Sequence, residues 1–421
     1  MARRAGLAGM RRGHGIRLAL VALVALAMVA GCSTNATWRE PGDGGTAAPT
    51  KPPLTLVFSH DEGEVDVSPG KPVTVQAFDG TLETVSLSSN IGEVPGEFNE
   101  DRSMWRSLQD LEFGKRYTLA VSGLGADGNP VEKTRTFTTV NVQPGFYWNV
   151  YLVPHRYFGG ELDGGTFGVG QPIVAEFDDS VDRRVAEATL TVTTNPPVEG
   201  AWHWMSDTEA HWRPKEYWKP GTTVTVTANI LGVPLVSPKG GRTLYGQENK
   251  TATFTIGQSK IAKIDNHTKQ MQVYINGQHV KTFPVSLGRE YAYQSIDGRW
   301  HDWRTPSGIM VVTEKENPAR MRPDLPKDDP EWYEQLIPLA TRITDSGIYV
   351  HAAPWSVADQ GVRNVSHGCI NVSTENAQWF YDNFGPGDVV EIVNTGINVD
   401  VRDGLGDWNL PWDQWLAGSA L

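Results

Sequence analysis

Alternation of hydrophobic and polar positions dominates the chain from Leu54 onward. Short runs such as "LTLVF", "KPVTVQAF" and "RYTLAVSG" are separated by Gly, Pro, Asp and Asn. A period of two places every second side chain on one face of a strand, and such runs between turn residues are typical of β-sandwiches. The pattern predicts a sandwich of about seven strands over residues 53–142.

A similar pattern recurs over residues 146–256, which indicates an internal duplication. Trp105 precedes Gly114 by nine positions, and Trp212 precedes Gly221 by the same nine. We therefore predict two homologous sandwiches, each with one of these tryptophans in its core. Because neither sandwich has clustered charges or paired catalytic groups, we expect both to act as spacers or interaction surfaces.

A third region, residues 258–396, combines strand patterns with one helix. Asn276-Gly277 lies between two alternating runs and predicts a tight hairpin turn. The segment "STENAQWFYDNF" at 373–384 predicts a helix whose opening Ser or Thr caps it. Residues 315–338 are rich in proline and in charges of both signs. This long irregular excursion is either an active-site lid or a solvated loop.

Residues 397–421 form a tryptophan-rich C-terminal tail. Trp408, Trp412 and Trp415 are spaced by four and three positions, which would place them on one face of a helix. We expect this tail to dock on a preceding domain. A membrane-facing aromatic belt is the alternative, which two neighbouring aspartates disfavour.

The first 31 residues have the pattern of an export signal. Five arginines precede a short apolar run from Leu18 to Ala30, which is too short to span a bilayer comfortably. The segment Val-Ala-Gly-Cys that ends at Cys32 resembles a lipobox, in which this cysteine becomes the lipidated first residue. An ordinary signal peptide with an incidental cysteine is the alternative. Residues 32–52, rich in Gly, Pro and Thr, predict a flexible tether.

Length, charge and cysteine content narrow the class of protein. A chain of 421 residues exceeds one ordinary domain. Without the first 31 residues, 32 basic residues face 49 acidic ones, a formal charge of −17 that argues against nucleic-acid binding. The two cysteines, Cys32 and Cys369, are each available for a different task, so we expect no disulfide between them.

Cys369 lies in the polar segment Ser-His-Gly-Cys-Ile-Asn at 366–371. His367 precedes it by two residues and His351 by eighteen. A thiol with imidazoles nearby predicts a cysteine nucleophile with a histidine base. One alternative is a buried structural cysteine. Another is zinc bound by these three side chains, although the segment has no clear fourth ligand and no C-x-x-C.

This segment, with His351 upstream, resembles the signature of the L,D-transpeptidases of the bacterial cell wall. The stretches "SGIYVHAAPWSV" at 346–357, "NAQWFYDNFGPGDVVEIVNT" at 376–395 and "GDWNLPWDQW" at 406–415 are similar to the mycobacterial type. The resemblance implies a mainly β fold. Two immunoglobulin-like β-sandwich domains would precede a β-rich catalytic domain with one helix after the nucleophile and a short C-terminal subdomain.

The resemblance also implies roles for individual residues. Cys369 would be the nucleophile, its pKa lowered by a paired imidazole, and His351 the proton acceptor, oriented by the Ala352 carbonyl. His367 would support the pocket, and the backbone N–H groups of Gly368 and Cys369 would form an oxyanion hole. The remaining matches are substrate contacts: Tyr333, Ser346, Gly347, Trp355 and Asn371.

The implied reaction consists of two acyl transfers that need no metal and no cofactor. Cys369 would attack the third residue of a donor tetrapeptide stem and release D-Ala, and a side-chain amine of an acceptor stem would then take the acyl group. The product is a 3→3 cross-link in peptidoglycan, made at the outer face of the cell membrane. The resemblance further implies acylation by carbapenems. An L,D-carboxypeptidase and a non-catalytic wall-binding lipoprotein are the alternatives.

Overall fold

The computed structural model describes residues 51–157 and 160–421, and the predicted mainly β fold class is confirmed. The predicted export signal, Cys32 and most of the predicted tether lie outside the described residues. Within the described part of the chain, no helix has the length and apolar character needed to cross a membrane. No strand in this part crosses a predicted domain boundary, and the boundaries themselves stay predictions.

The first sandwich packs the sheet β1-β3-β7-β6 against the sheet β2-β9-β8-β4-β5. Inward-facing positions alternate along its strands, as in β8, where Tyr117, Leu119 and Val121 are buried. Residues 53–142, all described, hold nine strands rather than about seven, because two short edge strands add to the pattern. They are β1 (Thr55–Phe58), β2 (Glu64–Val67), β3 (Thr74–Phe78), β4 (Gly80–Ser89), β5 (Gly92–Val94), β6 (Gly96–Phe98), β7 (Met104–Ser107), β8 (Arg116–Gly125) and β9 (Pro130–Thr139).

The second sandwich packs the sheet β11-β13-β16-β15 against the sheet β12-β20-β17-β14, and a smaller sheet, β10-β19-β18, lies beside them. Its helix α1 (Arg183–Ala188) is capped by Asp182. Its strands are β10 (Tyr147–Trp148), β11 (Val150–Val153), β12 (Thr166–Phe167), β13 (Ile173–Phe177), β14 (Leu190–Asn195), β15 (Gly200–Ser206), β16 (Glu209–Pro214), β17 (Thr223–Ala228), β18 (Pro234–Val236), β19 (Thr243–Gly246) and β20 (Lys250–Ile256).

Both predicted core tryptophans are buried, and each packs against a glycine of the neighbouring strand. Trp105 is 2% exposed and Trp212 is 7% exposed. A Cβ added to Gly96 would lie 2.0 Å from the Trp105 ring, and one added to Gly200 would lie 2.1 Å from the Trp212 ring. In both pairs the glycine is opposite the residue two positions after the tryptophan. This shared arrangement supports the predicted duplication.

The third region, residues 258–396, contains the sheet β23-β22-β21-β33-β26 and the sheet β27-β30-β31-β32, with helix α2 (Thr374–Asn383) packed on β30 and β31. Two small hairpins, β24-β25 and β28-β29, extend from it. Its strands are β21 (Lys260–Asp265), β22 (Gln270–Ile275), β23 (Gln278–Pro284), β24 (Ala292–Gln294), β25 (Trp300–Asp302), β26 (Gly308–Val311), β27 (Glu314–Glu316), β28 (Ala319–Met321), β29 (Gln335–Ile337), β30 (Ala340–Arg342), β31 (Tyr349–Ala352), β32 (Ile370–Val372) and β33 (Val389–Val393).

The predicted hairpin turn and the predicted helix cap of this region are confirmed, and the prediction for residues 315–338 is corrected. Asn276 and Gly277 both have positive φ, 50° and 79°, in the tight turn between β22 and β23. Ser373 caps α2 by accepting a hydrogen bond from the Asn376 N–H at 3.2 Å. The 315–338 excursion is not irregular throughout, because β28 and β29 pair as an antiparallel hairpin at its base.

The C-terminal tail packs on the second sandwich, as predicted, but not as one helix. Trp408 lies in a 3-10 turn, Asp407–Asn409, and the helix α3 (Trp412–Leu416) begins only after Pro411. The rings of Trp408, Trp412 and Trp415 lie 4.8, 5.3 and 4.5 Å from the Arg213 guanidinium carbon. This three-tryptophan cage on a strand of the second sandwich fixes the tail by cation–π contacts.

Candidate active site

His351 and the segment that follows Cys369 lie on neighbouring strands. β31 and β32 pair in parallel, with His351 opposite Asn371, so Cys369 lies immediately before the strand that neighbours His351. A cavity of about 190 Å³ opens at this point. The site residues that line it are His351, Cys369, His367, Asn371, Tyr333 and Trp355. The sheet register therefore brings together residues that are far apart in sequence.

His351 is 4% exposed, and its ring orientation is fixed by one hydrogen bond. Its Nδ1 lies 2.9 Å from the Ala352 carbonyl oxygen. Because a carbonyl can only accept, Nδ1 carries the proton and Nε2 keeps a free lone pair. Burial lowers the pKa of His351, and the Ala352 hydrogen bond only partly offsets this effect. The imidazole is thus neutral at pH 7 and able to accept a proton.

The Cys369 thiol is half-buried and lies within hydrogen-bonding distance of a backbone carbonyl. Its Sγ donates to the Gly347 carbonyl oxygen at 3.6 Å. Burial raises the pKa of Cys369 to about 12, while the Arg342 charge lowers it only in part. This direction is opposite to the predicted lowering, because the thiol lies in an apolar cluster with Tyr333, Met321 and other residues.

Ser366 shapes the turn that presents Cys369. Its Oγ donates to the Cys369 carbonyl at 2.6 Å and accepts from the Gly368 N–H at 3.1 Å. Gly368 has a φ of +126°, which a residue with a side chain rarely adopts. Thr305 Oγ1 donates a hydrogen bond to the Gly368 carbonyl oxygen at 2.7 Å and so stabilises the turn. The Gly368 N–H is thus engaged in the resting state, and its oxyanion role stays a prediction.

His367 faces the excursion rather than His351. Its Nε2 lies 2.9 Å from Glu331 Oε2, and its ring lies 4.6 Å from Trp303 and 5.1 Å from Tyr333, measured between centroids. Burial lowers the pKa of His367, and the hydrogen bond with Glu331 offsets part of this effect. Within the described residues, no three His, Cys, Asp or Glu side chains are grouped in a way that could hold a metal ion.

The predicted substrate contacts divide between two cavities that meet at Cys369. His351, Trp355 and Asn371 line the first cavity only, whereas Ser346 and Gly347 line a second cavity of about 310 Å³. Tyr333, His367 and Cys369 line both. Both cavities therefore reach the Cys369 residue, and Tyr333 contributes to the wall of each.

Asn371 and Ser346 differ in how much hydrogen-bonding capacity they have left. Asn371 Nδ2 donates to Ser356 Oγ at 3.1 Å, and its Oδ1 is buried without a partner among the described residues. A buried acceptor that lines a cavity is well placed to bind a ligand N–H. Ser346, in contrast, already donates through both N–H and Oγ to Asp403. Its side chain is held by the tail.

Sequence reasoning missed several residues that hold this site together. Ser366 lay inside the motif and could have been found from the turn chemistry of serine. The others lie far away in sequence and carried no local signal: Arg289, Trp303, Thr305, Glu331 and Asp403.

Known protein families match the sandwich region and the region that contains Cys369. A family model described as a bacterial Ig domain matches residues 64–234, and one described as the L,D-transpeptidase catalytic domain matches residues 259–392. L,D-transpeptidase 2 of Mycobacterium tuberculosis is 40% identical over 371 residues, 87% of this chain and 85% of the relative. L,D-transpeptidase 5 of the same species is 33% identical over 387 residues, 88% of this chain and 78% of the relative.

Among solved structures, one titled as LD transpeptidase LdtMt1 in complex with imipenem is 31% identical. It covers 58% of this chain and all of its own, with a TM-score of 0.46. The matches to both M. tuberculosis relatives span most of this chain and more than three quarters of each relative. On this evidence, the chain belongs to the L,D-transpeptidase family.

Proposed function

We propose that this enzyme forms 3→3 cross-links between peptidoglycan stem peptides through a thioester on Cys369. The observation that carries this proposal is the placement of His351 on β31 and of Cys369 immediately before the neighbouring strand β32, around one cavity. The free Nε2 lone pair of a buried, neutral imidazole suits general-base catalysis at neutral pH. The enzyme class is that of the family, and the role of each residue is our proposal.

In the first half-reaction, the Cys369 sulfur attacks the carbonyl carbon of the third residue of the donor stem. The thiol proton passes to His351 Nε2 as the C–S bond forms, so no resting thiolate is required. When the tetrahedral intermediate collapses, the C–N bond to D-Ala breaks. His351 returns the proton to the leaving amine, and a thioester remains.

In the second half-reaction, the side-chain amine of an acceptor stem attacks the thioester carbonyl. His351 accepts a proton from the attacking amine and passes it to the departing Cys369 sulfur. Two cavities that meet at the thiol support this sequence, because donor and acceptor can approach from opposite sides. Tyr333 lines both cavities and would shield the thioester from water.

Polar groups around the thiol would orient the substrate and stabilise the developing oxyanion. The Cys369 N–H and the Gly368 N–H are the proposed donors, the latter after release from Ser366. The unpartnered Asn371 Oδ1 would accept from a donor-stem amide. Trp355, which is 60% exposed, would form the outer wall of the first cavity.

Carbapenems would acylate the same thiol. A solved relative is titled as a complex with imipenem, and a β-lactam carbonyl presents the electrophile that Cys369 would attack. The strained ring opens as its C–N bond breaks, and the ring nitrogen stays attached to the acyl-enzyme. This makes a carbapenem a reporter of Cys369 reactivity that does not need an acceptor.

The N-terminal segment would anchor the enzyme to the outer face of the cell membrane through lipidated Cys32. The lipobox-like residues before it support this proposal, and the two sandwiches would then act as spacers toward the wall. Cys32→Ala should move the protein from membrane to soluble fractions of exporting cells. Unchanged membrane association would contradict the anchor.

Product masses test the reaction. With a disaccharide-tetrapeptide as the only substrate, the enzyme should release D-Ala and form a dimer joined between two third-position residues. A carboxypeptidase would release the same D-Ala and leave only tripeptide. Cys369→Ala is the control and should give neither product. Tripeptide without dimer at high substrate concentration would contradict transfer.

A further inference from the structure

We propose that Glu331 is a positioning residue that links the 315–338 excursion to the nucleophile segment, residues 366–371. Glu331 holds His367 in place and keeps Tyr333 over Cys369. This inference rests on the proposed role of Cys369 as the nucleophile and adds a residue to that site. The contacts that support it form one cluster, Arg289–Glu331–His367, which lies beside the thiol but does not include it.

Arg289 connects this cluster to the nucleophile segment. Its backbone N–H donates to the Ser366 carbonyl at 3.0 Å, so it moves with the residue just before His367. Its guanidinium donates to both carboxylate oxygens of Glu331, at 3.2 and 2.8 Å. The two side chains are 18% and 29% exposed, so this bidentate pair is shielded from solvent more than a surface pair.

Glu331 determines how the His367 ring is held. His367 Nε2 lies 2.9 Å from Glu331 Oε2 and 2.5 Å from Arg289 Nη2, so both members of the ion pair contact the same ring nitrogen. The ring then packs edge-to-face on Trp303 and beside Tyr333. The Arg289 hydrogen bonds lower the pKa of Glu331, which keeps its carboxylate charged at neutral pH.

Several contacts hold the excursion, and the Glu331 contact is the hydrogen bond that reaches the nucleophile segment. Buried Asp329 accepts from the Tyr293 hydroxyl at 2.8 Å and the Ile296 N–H at 2.9 Å, which fixes the excursion to the β24-β25 hairpin. Glu331, two residues later, makes the attachment to His367. Tyr333, two residues further, lines both cavities. Loss of the Glu331 contact would therefore free Tyr333 without detaching the Asp329 anchor.

The Glu331→Gln variant distinguishes the positioning role from a general contribution to protein stability. The glutamine amide has the shape of the carboxylate but not its charge. We expect two opposite changes in the full-length protein. Alkylation of Cys369 by iodoacetamide, followed on the Cys369 peptide by mass spectrometry, should become about tenfold faster as Tyr333 uncovers the thiol. Acylation by imipenem should become about tenfold slower as the pocket loses its geometry, since a lost charged hydrogen bond corresponds to about that factor.

Glu334→Gln is the matched control. Glu334 lies on the same excursion but pairs with the solvent-exposed Arg320, so both rates should stay at the wild-type value. Arg289→Gln should reproduce the Glu331→Gln effects, and the double variant should be no worse than either single one. Equal rates in Glu331→Gln and Glu334→Gln, or additive effects in the double variant, would overturn the proposal. Absence of acylation in the wild-type protein would instead contradict the proposed function.

Discussion

The Asp403 carboxylate accepts two hydrogen bonds from Ser346, one from its N–H and one from its hydroxyl, each at 2.6 Å. Asp403 belongs to the C-terminal tail, and Ser346 immediately precedes Gly347, whose carbonyl accepts from the Cys369 thiol. The tail in turn is fixed to the second sandwich by the three-tryptophan cage. A sandwich without catalytic groups is thereby connected to the wall of the active site.

Asp403→Ala should slow imipenem acylation about tenfold, because the segment that carries Gly347 loses two charge-assisted hydrogen bonds. Asp413→Ala, in an exposed position of the same tail, should leave the rate unchanged. Stopped-flow measurement of acylation, together with urea unfolding, distinguishes this effect from loss of stability. Equal rates in the two variants would show that the tail does not position the active-site wall.

Trp415→Ala should destabilise the protein by about 3–5 kcal/mol, the usual cost of deleting a fully buried tryptophan ring. The ring is 0% exposed, stacks on His203 at 4.7 Å and donates from Nε1 to the Ala201 carbonyl at 2.9 Å. Urea unfolding followed by circular dichroism measures the change. Trp300→Ala is the control, since Trp300 is 68% exposed and should cost less than about 0.5 kcal/mol. Similar values for both would contradict the packing described for the tail.

Tail docking should weaken at alkaline pH because of His211, which lies between Asp407 at 2.7 Å and Glu209 at 2.8 Å. Burial alone would lower the pKa of His211, but the two carboxylates outweigh it and raise the pKa to about 10. Since the folded-state pKa exceeds the unfolded value of about 6.5, the stabilisation is fully present below pH 6.5 and is lost as pH rises through 10.

The difference in unfolding free energy between wild type and His211→Gln, measured from pH 6 to pH 10, should therefore shrink as the pH rises. Subtracting the variant removes the contribution of lysines and tyrosines that titrate in the same range. A difference that stays constant or grows with pH would mean that His211 is neutral in the folded protein.

Elements whose conformation depends on residues close together in the chain could be predicted from the sequence. The Asn276-Gly277 turn and helix α2 depend on local backbone preference, and both lie where the pattern placed them. The tail shows the limit of this reasoning. Trp408 has helical spacing to Trp412, yet the helix begins only after Pro411, and the three rings converge because Arg213 lies between them.

The chemistry of the site depended on contacts that the sequence does not show. Glu331 and His367 are far apart in the chain, and only the fold of the excursion brings them together. The direction of the pKa shift of Cys369 also escaped prediction. A histidine nearby suggested a lowered pKa, whereas burial in an apolar cluster raises it.

The central claim is that Cys369 carries the acyl group and His351 accepts its proton. Intact-mass spectrometry after incubation with imipenem, followed by peptide mapping, tests it most directly. The wild-type protein should gain one imipenem on the peptide that contains Cys369. His351→Ala should gain it at least about a hundredfold more slowly, as expected for loss of a general base, and Cys369→Ala should gain none. An adduct of the same stoichiometry on Cys369→Ala, or on a different residue of the wild type, would contradict the account.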